Sequence, residues 1–175
     1  MKNSLRRITV TGIGIALFVV LALCLQVPVF QNYYLCLGYL VMAVYCFSIG
    51  TVSGTVTGVL GVVIYCLLTG GLRGMPGWAL GKIAIGFAVG LASVKIRGSQ
   101  KTWAGYLIWI TASVAGTAAG ILGIKSLVDS LIRSQPFLVR VGMNIYAFIA
   151  DAFVLIIALP LCLALDPHIK KILNK

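Results

Sequence analysis

Acidic residues are nearly absent from this chain. Three aspartates (Asp129, Asp151 and Asp166) and no glutamate stand against fourteen lysines and arginines, and the one histidine, His168, lies in a polar tail. That scarcity excludes the commonest catalytic arrangements, because no close pair of carboxylates and no membrane histidine is present for acid–base work or metal binding. Charge of either sign is also scarce, at 10% of residues. A soluble domain needs about 25% to coat its surface. A water-soluble globule and a disordered chain are both excluded. The five cysteines (Cys24, Cys36, Cys46, Cys66 and Cys162) form no CxxC pair and sit within apolar stretches, so they read as helix-packing residues rather than a metal site. No Walker motif occurs, since Gly70-Gly71-Leu72-Arg73-Gly74 lacks the GK[ST] ending. The chain cannot hydrolyse ATP by itself.

What is abundant is hydrocarbon: 61% of residues are hydrophobic, and mean hydropathy is +1.08. A net charge of +11 would suggest nucleic acid if the cations were clustered on a face. They lie instead at the ends of apolar runs, where membrane topology puts them. This pattern describes an all-α integral membrane protein and argues against a nucleic-acid partner.

A hydrocarbon core about 30 Å thick takes roughly 17 to 25 apolar residues as helix. The chain divides into six spans forming a single membrane domain: residues 8–25, 35–47, 53–68, 78–94, 103–124 and 137–165. The first run is longer than a signal-peptide core. Residues 48–52 form a turn without charge, and the Gly/Pro-dense stretch 69–77 is the clearest loop. Asp166-Pro167 is expected to stop the sixth span. Nine basic residues (Lys2, Arg6, Arg7, Lys95, Arg97, Lys101, Lys170, Lys171 and Lys175) fall at the termini and the loop between spans four and five. Three (Arg73, Lys125 and Arg133) fall on the opposite side. Both termini are therefore expected in the cytoplasm.

Small residues recur at helical spacing, as in Gly50-xxx-Gly54-xxx-Gly58, Gly86-xxx-Gly90 and Ala112-xxx-Gly116-xxx-Gly120. Such stripes let backbones approach where lipid supplies no hydrophobic drive. Packing within the bundle is one reading and docking of a membrane partner the other. Docking is best supported for Gly12-xxx-Ala16 in the first, least polar span.

Charges inside the membrane need a reason. Lys82, Arg140 and Asp151 are the three within spans. Arg140, Asn144 and Asp151 point within about 40° of one another at 100° per residue, and Asn144 lies about 6 Å and Asp151 about 16 Å deeper than Arg140. One reading is a structural ion pair of Lys82 or Arg140 with Asp151. The other is an outer pocket for a small hydrophilic anion. It would use Arg73, Lys82 and Arg140 as cations, Asn32 and Asn144 as hydrogen-bonding groups, and Trp78 with Tyr33 as walls, under the Gly-rich loop.

Length, six spans and the segments Arg6-Arg7-Ile8-Thr9, Leu37-Gly38-Tyr39 through Gly58-Val59-Leu60-Gly61, and Gly77-Trp78-Ala79-Leu80-Gly81-Lys82 together resemble the substrate-binding S component of an energy-coupling factor (ECF) vitamin transporter. The resemblance covers essentially the whole chain. It implies capture of a water-soluble vitamin at the outer face of the cell membrane by a non-enzymatic subunit. It further implies docking on a membrane coupling subunit driven by two cytoplasmic ATPases, with ATP used by those partners and no cofactor held by this chain. Family docking uses an AxxxA pattern, matched here by Gly12 and Ala16. Family pockets involve the outer halves of the later helices, where Lys82, Arg140 and Asn144 fall. The excess of cations favours a carboxylate ligand, and pantothenate is the expectation. Pyridoxine or another vitamin precursor is the alternative, and folate or riboflavin would require a larger aromatic slot. A membrane assembly protein without transport activity is the reading from a different class.

Overall fold

The computed structural model describes residues 2–30, 33–97 and 103–174. The first helix, α1 (Lys2–Cys24), begins within the basic start rather than at residue 8. Its threonines tie themselves to the preceding turn: Thr9 Oγ1 donates to the Leu5 carbonyl and Thr11 Oγ1 to that of Arg7. No span was expected over residues 26–34, and the structure forms an antiparallel hairpin of β1 (Gln26–Phe30) and β2 (Tyr33–Cys36) there. Gln26 pairs with Cys36 and Pro28 with Tyr34, and the register shifts between Pro28 and Phe30. The hairpin packs against the last helix. Two strands this short carry no periodicity that separates them from a polar connector.

Helix α2 (Gly38–Ser48) is the centre of the bundle, with ten of its eleven residues buried. It touches α1 and three further helices, α3 (Thr51–Thr69), α4 (Met75–Ile96) and α7 (Phe137–Asn174). Eleven residues reach roughly 16 Å, about half the hydrocarbon depth, so the bundle has room at one end of α2 for the hairpin and for a cavity. The turn into α3 passes through Gly50 at φ 139°, a conformation closed to L side chains, and Gly70 ends α3 in the left-handed region at φ 74°. Residues 75–77, expected in the loop, open α4 instead. Pro76 stands in its first turn, where a missing N–H costs nothing.

The fifth span also outruns its expected end at residue 124. Helix α5 (Trp103–Thr117) runs into a π-helical segment (Ala118–Lys125) and then α6 (Ser126–Arg133), giving one rod over Trp103–Arg133. Asp166-Pro167 does not stop the last helix, which continues to Asn174 with Pro160 and Pro167 inside it. Lys170 Nζ bonds Asp166 Oδ2 at 2.5 Å, bridging the turn that Pro167 weakens.

Among the described residues, five helices are long and apolar enough to cross a membrane, and α2 is a shorter apolar one. The protein is an all-α, multi-pass membrane protein. Its core holds Phe18, Tyr39, Met42, Phe47, Trp109 and Leu155, with Trp109 Nε1 donating to the Leu155 carbonyl at 2.7 Å. Leucine, isoleucine and valine cover the outside, as lipid requires. The glycine stripes of α3, α4 and α5 are internal. A Cβ on Gly58 would stand 2.5 Å from Met42 Sδ, and one on Gly116 would stand 2.7 Å from the Ala88 Cβ. Gly12 and Ala16 face outward, and a Cβ on Gly12 would meet nothing within 4 Å.

Candidate ligand cavity

A cavity of about 530 Å³ opens at the hairpin end of α2, within the range of small-molecule sites. Leu35 and Cys36 from β2 form one wall, and Tyr65, Cys66 and Thr69 from the last turns of α3 form another. Gly71 and Gly74 bring the α3–α4 loop to its edge. Trp78 enters from the first turn of α4, and Lys125 and Asp151 from the π-helical segment and α7. Tyr65 and Trp78 meet edge to face, with ring centroids 5.7 Å apart. The glycines allow the loop to run close over this aromatic corner.

Trp78 is held from behind. Its Nε1 donates to the Tyr39 hydroxyl at 3.3 Å, and that hydroxyl also faces the carboxylate of Asp151. Beneath them lies Lys82, fully buried, its ammonium 2.8 Å from the Tyr39 ring centre, 5.0 Å from that of Phe18 and 5.5 Å from that of Trp78. Lys82 Nζ has no hydrogen-bond partner among the described residues. Three ring faces attract the cation in place of hydrogen bonds.

Lys125 belongs to a knot of polar groups at the other side of the cavity. Its Nζ donates to Asp129 Oδ2 at 3.1 Å and to Asn144 Oδ1 at 2.5 Å. Asn144 Nδ2 donates in turn to Ser126 Oγ at 3.0 Å, and Ser126 Oγ to the Ile121 carbonyl. The π-helical segment widens the turn that places Lys125 and Ser126 against α7. Such segments mark functional positions more often than ordinary helix does.

Of the residues singled out from sequence, Trp78 lines the cavity. Asn144 reaches it through Lys125, and Lys82 stands behind Trp78. Arg73 is exposed on the loop, and Arg140 is buried but not among the lining residues. Asn32 lies outside the described residues, as does the side chain of Tyr33. No ion pair joins Asp151 to Lys82 or Arg140. The two ion pairs among the described residues are Lys125–Asp129 and Lys170–Asp166. The ion-pair reading fails because Lys82 points into the rings and Arg140 sits about three turns from Asp151 along α7. Sequence reasoning missed Lys125, which had been placed in a loop, and Tyr65, which carried no signal beyond its place in an apolar run.

Two curated relatives from Streptococcus thermophilus carry only the name UPF0397 protein: one from strain ATCC BAA-491 / LMD-9, and str0306 from strain CNRZ 1066. Each is 32% identical over 96 residues, which is 54% of this chain and 51% of the relative. The chain thus spans about half the length of the curated relatives it matches. No solved structure matches it. The family model for the ECF-type riboflavin transporter, S component, matches residues 2–167, nearly the whole chain with its cavity and its outward α1 face. By that match the chain belongs to the S components of ECF-type transporters, a family of transport subunits rather than enzymes.

Proposed function

We propose that this chain is the substrate-capturing subunit of an ATP-driven vitamin importer, and that its ligand is a flat, uncharged, hydroxyl-bearing ring system of the riboflavin kind. The observation that carries the reading is the aromatic corner of Tyr65 and Trp78 in a cavity whose one lining cation, Lys125, is already bonded to Asp129 and Asn144. A carboxylate ligand such as pantothenate would need an uncommitted cation. Lys82 is sealed behind Trp78, Arg73 is exposed, and Arg140 lies off the cavity. Tyr65 and Trp78, 13 positions apart in sequence, supply aromatic surface against which a flat ring could lie. The family's description, a riboflavin transporter component, agrees with this choice.

Ring stacking on Trp78 would supply the apolar contact, and Asp151, Thr69 and Lys125 would bond hydroxyls or ring carbonyls. Both termini lie in the cytoplasm on this reading, with the cavity at the outer face and Gly12 and Ala16 turned toward a membrane coupling subunit. Two cytoplasmic ATPases would drive transport through that subunit, and this chain itself holds no cofactor.

The test is titration of the purified chain in detergent with riboflavin, pantothenate and pyridoxine, following flavin fluorescence and thermal stability. Riboflavin should be quenched on binding and should raise the melting temperature. A ligand at 100 times its Kd stabilises by about 2.7 kcal/mol. Stabilisation by pantothenate without any response to riboflavin would overturn the choice of ligand. No response to any vitamin would favour a membrane assembly protein.

A further inference from the structure

Arg140 is 6% exposed, and its guanidinium has neither a carboxylate nor a ring face against it among the described residues. Its one described contact is from Nη1 to Met143 Sδ at 3.7 Å, a weak acceptor, and Nε is buried without a partner. The chain has only three side-chain carboxylates. Asp129 pairs with Lys125 and Asp166 with Lys170, each through Oδ2, and Asp151 lines the cavity; among the described residues no carboxylate forms an ion pair with Arg140. The position makes matters worse. Arg140 stands in the first turn of α7, its N–H bonded to the Pro136 carbonyl, where the helix presents its own partial positive charge. Lys125, held by Asn144 one turn further along α7, adds a second cation close enough to be felt. A buried guanidinium at a helix N-terminus, near a lysine whose own charge is already matched by Asp129, is strongly unfavourable unless an anion is supplied from outside.

The surroundings indicate what brings that anion. Leu131 on α6 and Leu138 on α7 are 74% and 79% exposed, and Phe137 and Val139 flank them. Arg140 is therefore buried at the end of a membrane-crossing helix, beneath a corner that exposes these apolar side chains together with Arg133, Ser134 and Gln135. We propose that the α6–α7 corner is a binding site for a phosphate oxyanion, with the Arg140 guanidinium as its main ligand and the N–H groups of Phe137 and Leu138, which the Pro136 carbonyl leaves unbonded, as further donors. The headgroup of an anionic phospholipid meets both requirements, because its chains would cover Leu131, Leu138 and Val139 while its phosphate reaches the guanidinium. This site is separate from the ligand cavity and stands whichever vitamin fills it.

The experiment uses the full chain, stripped of lipid in detergent. Dioctanoyl phosphatidylglycerol, dioctanoyl phosphatidylcholine and inorganic phosphate are added separately at matched ionic strength, and the melting temperature is followed. Phosphatidylglycerol should raise it by several degrees and phosphatidylcholine should not. Arg140→Gln should lose most of that shift, whereas Arg7→Gln, which removes an exposed cation at the far end of the chain, should keep it. An Arg140-dependent shift with phosphate alone identifies a free oxyanion as the occupant, and a shift with phosphatidylglycerol alone identifies lipid. Equal shifts from the two lipids, no shift with either phosphatidylglycerol or phosphate, or a full shift retained by Arg140→Gln would each overturn the proposal. Should Arg140→Gln fail to fold, native mass spectra of the parent in an equimolar lipid mixture decide. Preferential retention of one phosphatidylglycerol supports the site, and equal retention refutes it.

Discussion

The ammonium of Lys82 lies 2.8 Å from the centre of the Tyr39 ring and has no hydrogen-bond partner among the described residues. The ring face, with those of Phe18 and Trp78, is what makes a fully buried charge tolerable there. Tyr39→Phe keeps the face and loses the bond from Trp78 and the hydroxyl contact with Asp151, at a cost of about 1 to 2 kcal/mol. Tyr39→Leu removes the face and should cost about 3 kcal/mol or more, as breaking the support of a buried charge does. Adding Lys82→Met to Tyr39→Leu should recover part of that loss, because the charge that needed the ring is gone. Chemical or thermal denaturation of the four proteins in detergent gives the coupling. Strictly additive effects would show that the ring does not hold the cation.

Trp78 lines the cavity and is also one of the three rings around Lys82. Trp78→Ala should weaken vitamin binding by about 10- to 100-fold, equivalent to about 1.4 to 2.8 kcal/mol. Trp78→Phe should retain most of the affinity while losing the bond to Tyr39. Titration by flavin fluorescence separates the two, and unchanged affinity in Trp78→Ala would remove the aromatic corner from the site.

Asn144 joins α7 to the π-helical segment by accepting from Lys125 and donating to Ser126. Asn144→Leu leaves both partners short inside the protein and should destabilise by about 1 to 3 kcal/mol. It should also release one Lys125 N–H, with the pair to Asp129 kept, and shift ligand preference toward acids. Competition between riboflavin and pantothenate, measured on parent and variant, reads that change.

Gly81 and Gly120 are in backbone contact, and a Cβ on Gly81 would stand 2.5 Å from the Gly120 carbonyl oxygen. Neither backbone has anywhere to move without separating α4 from the π-helical segment. Gly81→Ala should cost about 1 to 3 kcal/mol by overpacking. A melting temperature equal to the parent's would show that the two helices can part.

Gly12→Leu and Ala16→Leu fall on the exposed face of α1, where a larger side chain meets no neighbour in the chain. Stability and vitamin binding by the isolated chain should be unchanged within about 0.5 kcal/mol. Assembly with a coupling subunit should fail, as read by co-purification. Normal assembly would show that the partner docks elsewhere.

Hydropathy and the placement of lysine and arginine made the membrane class, the six apolar segments and the outward α1 stripe legible, because each depends on residues adjacent in sequence or one helical turn apart. Helix ends were less legible. Asp166-Pro167 reads locally as a stop, yet the Lys170–Asp166 bond and the packed Val154, Leu155, Ala158, Leu159 and Cys162 carry the helix through two prolines. The continuation through Lys125 was hidden for a similar reason, since Lys125, Asp129 and Arg133 resemble a polar loop until Lys125 and Asp129 find partners.

The sequence by itself determined that this protein lives in a bilayer and which polar residues share one side of its last helix. Those properties follow from transfer free energies and helical period, which act residue by residue. Only the tertiary structure decided which charges have partners. Lys82 turned to aromatic rings on α1, α2 and α4, Lys125 took the acid and amide, and Arg140 was left alone, because only the packed bundle sets the distances over which buried charges act.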